Sequence, residues 1–563
     1  MNAKLVCLSV YPLHPHSRHA NHGNWGQHVM EGGIINNRFQ QLLGTLYSLP
    51  SPYYHNSSNC LARPTVFDIL ASDFVSDALY DSETRRAEHA VTCLPVTRTK
   101  VLSAIRSWAE SSMMDTTHVC WLSGPAGTGK STVAHTIATE YDRRGRLAAS
   151  FFAWRKTGDR DDINKLIATL AYQIAHKCPL AKEAMEENLG LENDPVPLTV
   201  FRDRLSKISL EDRLSKLLIN KSIIISDSAG PDLVVIDGLD ECSSREGVCQ
   251  VVEWIRKNKL RFRFLLTSRP EPEIRNCFIS GPTDVWTLSL TESISDIAMY
   301  FVKELEKVWP TQQRIEERGP SRWPSKSDLE RLVEKSEGLF VYAATAVRYI
   351  GDSEGNPSKR LEEVLELDRG LDSLYAQVIE EARTQDFFEI VMGSLMYLKY
   401  PLSVDDLSIV LLSLNKHLTS AGILSALRRC HSILSIGEGS TISPYHASLR
   451  DFLTDESRAS TLFFAPATCH GRLMLACLLA ITKPSREGTS RPPYALVSWY
   501  YHTFSVLITR NGDIEGLGGM KDEFQGLVKL IDVSWVKSWL IQALRWTEVL
   551  YLKFELPSTK VPE

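Results

Sequence analysis

Residues 118–138 read HVCWLSGPAGTGKSTVAHTIA. An apolar run meets a glycine-rich loop, which ends in Lys-Ser and opens into an amphipathic helix. Gly124-Pro125-Ala126-Gly127-Thr128-Gly129-Lys130-Ser131 satisfies the spacing G-x-x-x-x-G-K-[ST] at every position. A preceding strand and a following helix are the context that this loop needs. Its glycines let backbone N–H groups turn inward as an anion-binding nest. The helix N-terminus, with Thr132 in its first turn, adds the positive end of a dipole. Lys130 offers a point charge to β- and γ-phosphates, and Ser131 a hydroxyl to Mg2+. The stretch predicts an α/β fold that holds a nucleoside triphosphate.

Five short apolar runs, VCWLS, AASFFAW, DLVVID, RFRFLLTS and DVWTLSL, alternate with helical patterns. Strands separated by helices predict a parallel five-stranded sheet covered on both faces. DLVVID delivers Asp237 to the carboxyl end of a buried strand, where a carboxylate can hold Mg2+ through water. An unpaired acid there would be costly, which favours the metal. Gly238 follows where many ring-forming ATPases place a water-activating Glu. The acids left for that role are Asp240 and Glu241, either of which could instead pair with a base. Arg269 ends the fourth strand and points toward the same crevice. Its planar fork suits γ-phosphate oxygens; the alternative is a surface ion pair with Glu271 or Glu273.

The chain has 563 residues, 43% hydrophobic and 23% charged, with a formal charge of −5. That length predicts several domains. The charge gives no reason to expect nucleic acid or an anionic membrane. Eleven cysteines without a CxxC pair read as reduced, mostly buried thiols of a cytoplasmic protein. No apolar run reaches the roughly 18 residues of a membrane span; LMLACLLAI at 473–481 reads as a buried helix. The start lacks the features of a secretory signal. The histidine-rich tract HPHSRHANH reads as disordered and polar, with no Cys or carboxylate at ligand spacing.

The expected organisation is a poorly structured segment 1–75, a helical lead-in 76–117 and the NTPase domain 118–292. A small helical domain 293–355, a winged helix 356–460 and an all-α tail 461–563 follow. GDSEGNPSKR at 351–360 reads as a linker by its Gly, Asn and Pro content. The winged-helix expectation rests on Ser403 as an N-cap, the helix AGILSALRRC, a hairpin around GEGS and then YHASLRDFL. Arg428 and Arg429 are too few cations for that helix to bind DNA strongly.

The phosphate loop, DGLDE at 237–241 and TSRP at 267–270 stand in an order that resembles the NACHT-type NTPases of the STAND class. CLPVTR at 93–98, GLFVYAATAVRYI, LDSLYAQVI and YHASLRDFL extend the likeness to fungal NOD-like proteins with nephrocystin-like N-terminal NTPase modules. It covers roughly residues 80–460. The resemblance implies that Lys130 and Ser131 are the Walker A pair, Asp237 the Walker B aspartate, and Asp240 with Glu241 the acidic pair. It makes Arg269 the γ-phosphate sensor and His446 the winged-helix histidine that touches the β-phosphate of ADP. Two departures stand out: GLF at 338–340 lacks the proline that relatives set against adenine, and Val96 replaces a glycine before Thr97 and Arg98.

The function so implied is an ATP/ADP signalling switch in fungal immunity or self/non-self recognition. Slow Mg2+-dependent hydrolysis would reset it, and the ATP form would assemble as a homo-oligomer. A protein partner supplying effector or sensor is expected, since neither is recognisable in the sequence. The alternative is an actively cycling ring-forming P-loop ATPase.

Overall fold

Five runs of almost uninterrupted apolar residues form the strands, because a strand covered by helices on both faces has no polar side to present. In the computed structural model, which describes residues 64–82, 92–111, 117–155, 159–191, 198–218, 232–258, 262–279, 285–290, 294–308, 323–353, 355–436, 441–482 and 493–509, they are β1 Val119–Ser123, β2 Leu147–Phe152, β3 Leu233–Asp237, β4 Arg263–Ser268 and β5 Val285–Ser289. The sheet is parallel, in the order β2-β3-β4-β1-β5. Every residue of β1 to β4 is buried, whereas β5 at the edge is half-covered.

Side chains alternate between the two faces with the period of a strand. Val119, Trp121, Phe151, Val234, Ile236, Phe264 and Leu266 pack with helices Ile163–Lys177 and Arg245–Lys257. Cys120, Leu122, Phe152, Val235 and Leu265 pack with helices Lys130–Arg143 and Thr99–Glu110. Each fully buried Phe, Leu or Val here stabilises by about 1.5–3 kcal/mol. The register Ser123↔Ser268 and Ile236↔Leu266 brings the ends of β1, β4 and β3 to one edge. β4 thus lies between the phosphate-loop strand and the Asp237 strand.

Helices Ile294–Val308, Lys326–Lys335, Phe340–Ile350 and Pro357–Glu366 follow the sheet. The linker expected at 351–360 is corrected in its second half. Asn356 accepts from Ser358 N and Lys359 N, and Pro357 takes the first helical position, where its missing N–H costs nothing. After helices Leu371–Ala382, Phe388–Tyr397, Val404–Leu411 and Ser420–Ala426, β6 Leu434–Ser435 pairs antiparallel with β7 Ser443–Pro444. Ser403 caps as expected, its Oγ accepting from Asp406 N at 3.0 Å. Helix Ser448–Leu453 follows β7. The GEGS turn lies outside the described residues.

Of the segment 1–75, expected to be poorly structured, residues 64–75 are described and contain a helix. Thr65 and Asp68 form a reciprocal capping box that starts helix Val66–Leu70, whose Val66, Ile69 and Leu70 are buried. Residues 1–63, with the histidine tract, lie outside the described residues.

All of these elements up to Ala465, apart from Ile409–Leu414, form one compact unit. In a second unit helices Pro466–Thr482 and Pro493–Thr509 pack together. Leu473, Met474, Cys477, Leu478 and Ile481 are buried, as expected for LMLACLLAI. His470 Nδ1 lies 2.8 Å from His502 Nδ1, and Tyr494 Oη 2.7 Å from His502 Nε2. Among the described residues no single helix is long and apolar enough to cross a membrane. Cys249 and Cys277 form a disulfide, contrary to the expectation of reduced thiols, because the helices after β3 and β4 bring their Cα atoms to 5.4 Å. Cys120, Cys242, Cys430, Cys469 and Cys477 are buried.

Candidate nucleotide site

The loop after β1 turns through two left-handed residues, Gly127 at φ 76° and Gly129 at φ 87°, a region open to glycine. Gly129 leads directly into helix Lys130–Arg143. Lys130 Nζ donates to the carbonyls of Gly124 and Pro125, both at 2.8 Å. Burial pulls the Lys130 pKa down, against the opposing charges of Asp240 and Asp237. Those two acids therefore share its surroundings. Ser131 is exposed in the first turn, beside half-buried Thr132. Thr128 Oγ1 donates to Pro125 O at 2.9 Å and tightens the loop.

A later segment closes on this loop. Val341 N, at the start of helix Phe340–Ile350, donates to Gly127 O at 3.1 Å. A Cβ on Gly127 would stand 2.2 Å from Val341 Cγ1. Arg98 Nη2 donates to Thr128 O at 2.6 Å, and its guanidinium lies 4.9 Å from the Phe340 ring centre. Ala126 belongs to the same turn and is half-buried.

Asp237 is 3% exposed. Its Oδ1 accepts from Thr267 Oγ1 at 2.6 Å, and Thr267 Oγ1 accepts from Gly238 N at 3.0 Å. The inserted β4 thereby orients the carboxylate of β3. Gly238 has φ 76°, and a Cβ would press on Glu241 Cγ at 3.3 Å and Ala153 O at 3.4 Å. A glutamate would be strained here, and the left-handed turn instead sends the chain into the 3-10 segment Leu239–Glu241.

Asp240 and Glu241 part company in that segment. Asp240 Oδ1 accepts from Arg269 N at 2.9 Å, and Oδ2 lies 3.0 Å from Arg269 Nε. Both oxygens are thus committed to one residue. Glu241 Oε2 accepts from Arg155 N at 3.2 Å, and Oε1 lies 3.4 Å from Arg269 Nη2. Burial first, and then Asp240, push the Glu241 carboxyl above its ordinary range, against Arg155 and Arg269. Arg269 does not pair with Glu271 or Glu273. Glu271 takes Arg245 at 2.8 Å, while Arg269 holds Asp240, Glu241 and Asp451. Burial pulls the Arg269 pKa down, but these three carboxylates more than reverse it.

His446 reaches the same crevice. Its Nδ1 lies 2.7 Å from Ser448 Oγ and accepts from Ser448 N at 3.1 Å. Burial, then Arg269 and Lys130, push its pKa down to about 4. The structure thus brings Lys130, Asp237, Asp240, Glu241, Arg269 and His446 to one crevice. Thr267, Asp451, Arg155 and Ser448 complete it and were not singled out from the sequence. Thr267 carried the one usable signal, a hydroxyl two positions before Arg269 at a strand's end.

The donor set suits a phosphate and a hard cation. A loop with two left-handed glycines, an ammonium and a guanidinium face the same edge as a carboxylate and a first-turn hydroxyl. Oxygen donors of this kind fit Mg2+, which takes few protein ligands and keeps waters and phosphate oxygens.

A family model described as nephrocystin 3, N-terminal, matches residues 97–269, from Thr97 to Arg269. The vegetative incompatibility protein HET-E-1 of Podospora anserina is 23% identical over 357 residues, covering 60% of this chain and 24% of that protein. The chain therefore spans about a quarter of that relative's length. Among solved structures, the Signal Transduction ATPase with Numerous Domains (STAND) protein with a tetratricopeptide repeat sensor from Pyrococcus horikoshii aligns with 78% of this chain and 51% of its own, at 12% identity and a TM-score of 0.39. Drosophila ORC bound to AT-rich DNA and Cdc6 aligns with 98% of this chain and 71% of its own, at 8% identity and a TM-score of 0.21.

Proposed function

We propose that this chain, which carries an NTPase module of the NACHT/STAND kind, is an ATP/ADP switch whose later segments read the phosphates. One observation carries the proposal: Arg269 at the end of β4 contacts Asp451, 182 residues further on, beside the phosphate loop. A segment that follows the NTPase core thus bears on the group best suited to a γ-phosphate.

In this reading the loop Gly124–Ser131 and Thr132 hold the phosphates through backbone N–H groups, with Lys130 as their counter-charge. Ser131 and Asp237 hold Mg2+. The bound ion would supply charge neutralisation at the β- and γ-phosphate oxygens. Thr267 fixes the Asp237 carboxylate. Glu241, with its raised pKa, orients the attacking water and accepts its proton, while Asp240 keeps Arg269 in place. Arg269 senses the γ-phosphate and His446 the β-phosphate. Residues 356–460 act as a winged helix that closes over the site. The protein works in the cytoplasm, in self/non-self recognition, and its ATP form associates with copies of itself and with a protein that supplies effector or sensor.

Reversing a population from 1:99 to 99:1 takes about 5.5 kcal/mol of differential binding. A γ-phosphate with several charge-assisted contacts is of the right size for that. Steady-state turnover tests the reading. A switch hydrolyses ATP far more slowly than the usual enzyme range of about 1–1,000 per second. Several ATP per second without a partner would instead identify a cycling ring-forming ATPase.

A further inference from the structure

His446 is followed by Ser448 at the start of a short helix, and Tyr375 reaches the pair from helix Leu371–Ala382. Ser448 N donates to His446 Nδ1 at 3.1 Å. A backbone N–H can only donate, so Nδ1 must present its lone pair, and the proton of the neutral ring sits on Nε2. Ser448 Oγ lies 2.7 Å from the same nitrogen and 2.9 Å from Tyr375 Oη. With Nδ1 an acceptor, the serine hydroxyl donates to it and accepts from the tyrosine. The chain of donors therefore runs from Tyr375 to Ser448 to His446. Tyr375 is 1% and Ser448 6% exposed, so water competes poorly for either.

We infer that Ser448 and Tyr375 are positioning residues that hold His446 in its Nε2–H tautomer, as a neutral donor to a phosphate oxygen of the bound nucleoside diphosphate. The inference rests on the switch reading above, which supplies the phosphate. It assigns roles to Ser448 and Tyr375, and it fixes the charge state of the contact. Protonating the ring would turn Nδ1 into a donor facing the Ser448 N–H. The charged groups around His446 agree: Arg269, Lys130 and Arg348 oppose a cation there, against Asp451. The contact with phosphate is a neutral N–H donation, and ADP retention is flat between pH 6 and 8.

The test uses the full chain with Mg2+ and ADP. Imidazole 15N spectra, with His446→Gln to assign the signal, report the tautomer. ADP release is timed in wild type, Ser448→Ala, Tyr375→Phe and Ser448→Thr. We expect Nε2–H in wild type and release about three- to tenfold faster in Ser448→Ala and Tyr375→Phe, the range for a weakened hydrogen bond. Ser448→Thr restores the wild-type rate and tautomer, a rescue that a loss of packing would not give. An Nδ1–H ring, retention that strengthens as pH falls through 6.5, or unchanged release in both variants overturns the inference. A wild type with the Nε2–H ring that binds no nucleotide overturns the switch reading and leaves the tautomer lock standing.

Discussion

Arg269 Nη2 lies 3.4 Å from Asp451 Oδ2, joining the end of β4 to the helix that follows the β6–β7 hairpin. The same guanidinium holds Asp240 and Glu241. Of its three carboxylates, Asp451 is the one supplied from beyond the sheet and its loops. In the proposed switch, a γ-phosphate that draws Arg269 inward would compete directly with this contact.

Asp451→Asn keeps the shape and removes the charge. The pair is partly exposed, at 23% and 30%, so its worth is about 1 kcal/mol. ADP release should quicken severalfold, and the variant should associate at lower ATP concentration. Release kinetics and light scattering in ADP and in ATP read both. Unchanged values in both would deny the contact a role.

The two acids after Gly238 should separate under mutation. Glu241→Gln should retain nucleotide and lose turnover by about 100-fold or more, the scale for a general base. It should also be more stable than wild type without nucleotide at neutral pH. A carboxyl whose pKa is raised on folding binds more protons in the native state, so its contribution falls as pH rises above the unfolded value. Asp240→Ala should instead destabilise by about 1–3 kcal/mol, since it takes the acceptor from Arg269 N and Nε while Glu241 and Asp451 still hold Nη2. Denaturant melts and single-turnover assays distinguish the pair. Wild-type turnover in Glu241→Gln would remove that residue from the reaction.

Gly127→Ala should cost more than its loop position suggests. The residue is left-handed, and the added methyl would meet Val341 at 2.2 Å. Left-handed strain of about 1–2 kcal/mol and overpacking of about 1–3 kcal/mol both apply. Gly338→Ala is the control: it is also left-handed, with φ 78°, but has open space around it, and only the strain applies. Equal losses of midpoint stability would show that helix Phe340–Ile350 does not press on the loop.

The phosphate loop, Asp237 and Arg269 were legible because each announces itself within a few residues: a glycine spacing, an acid after four apolar residues, an arginine at the end of another apolar run. The order of the strands was not. Nothing local places β4 between β1 and β3, so the grip of Thr267 on Asp237 could not be read. Asp451 and Ser448 had the same difficulty, since they meet the site through a segment folded back from far along the chain. Asn356-Pro357 misled for another reason. The residues that break a helix also start one, and only the hydrogen bonds that Asn356 accepts from Ser358 N and Lys359 N decide. The left-handed turn at Gly238, which a glutamate would strain, goes with the missing glutamate, a departure that spacing could register but not explain.

The most direct measurement is the nucleotide carried by the purified protein, with its molar mass in ADP and in ATP, for wild type and Lys130→Ala. Wild type should carry ADP as a monomer and form a larger species with ATP and Mg2+, and Lys130→Ala should carry no nucleotide. A folded wild type that takes up neither adenine nor guanine nucleotide with Mg2+ present, or a Lys130→Ala variant that keeps its ADP, would contradict the proposed switch.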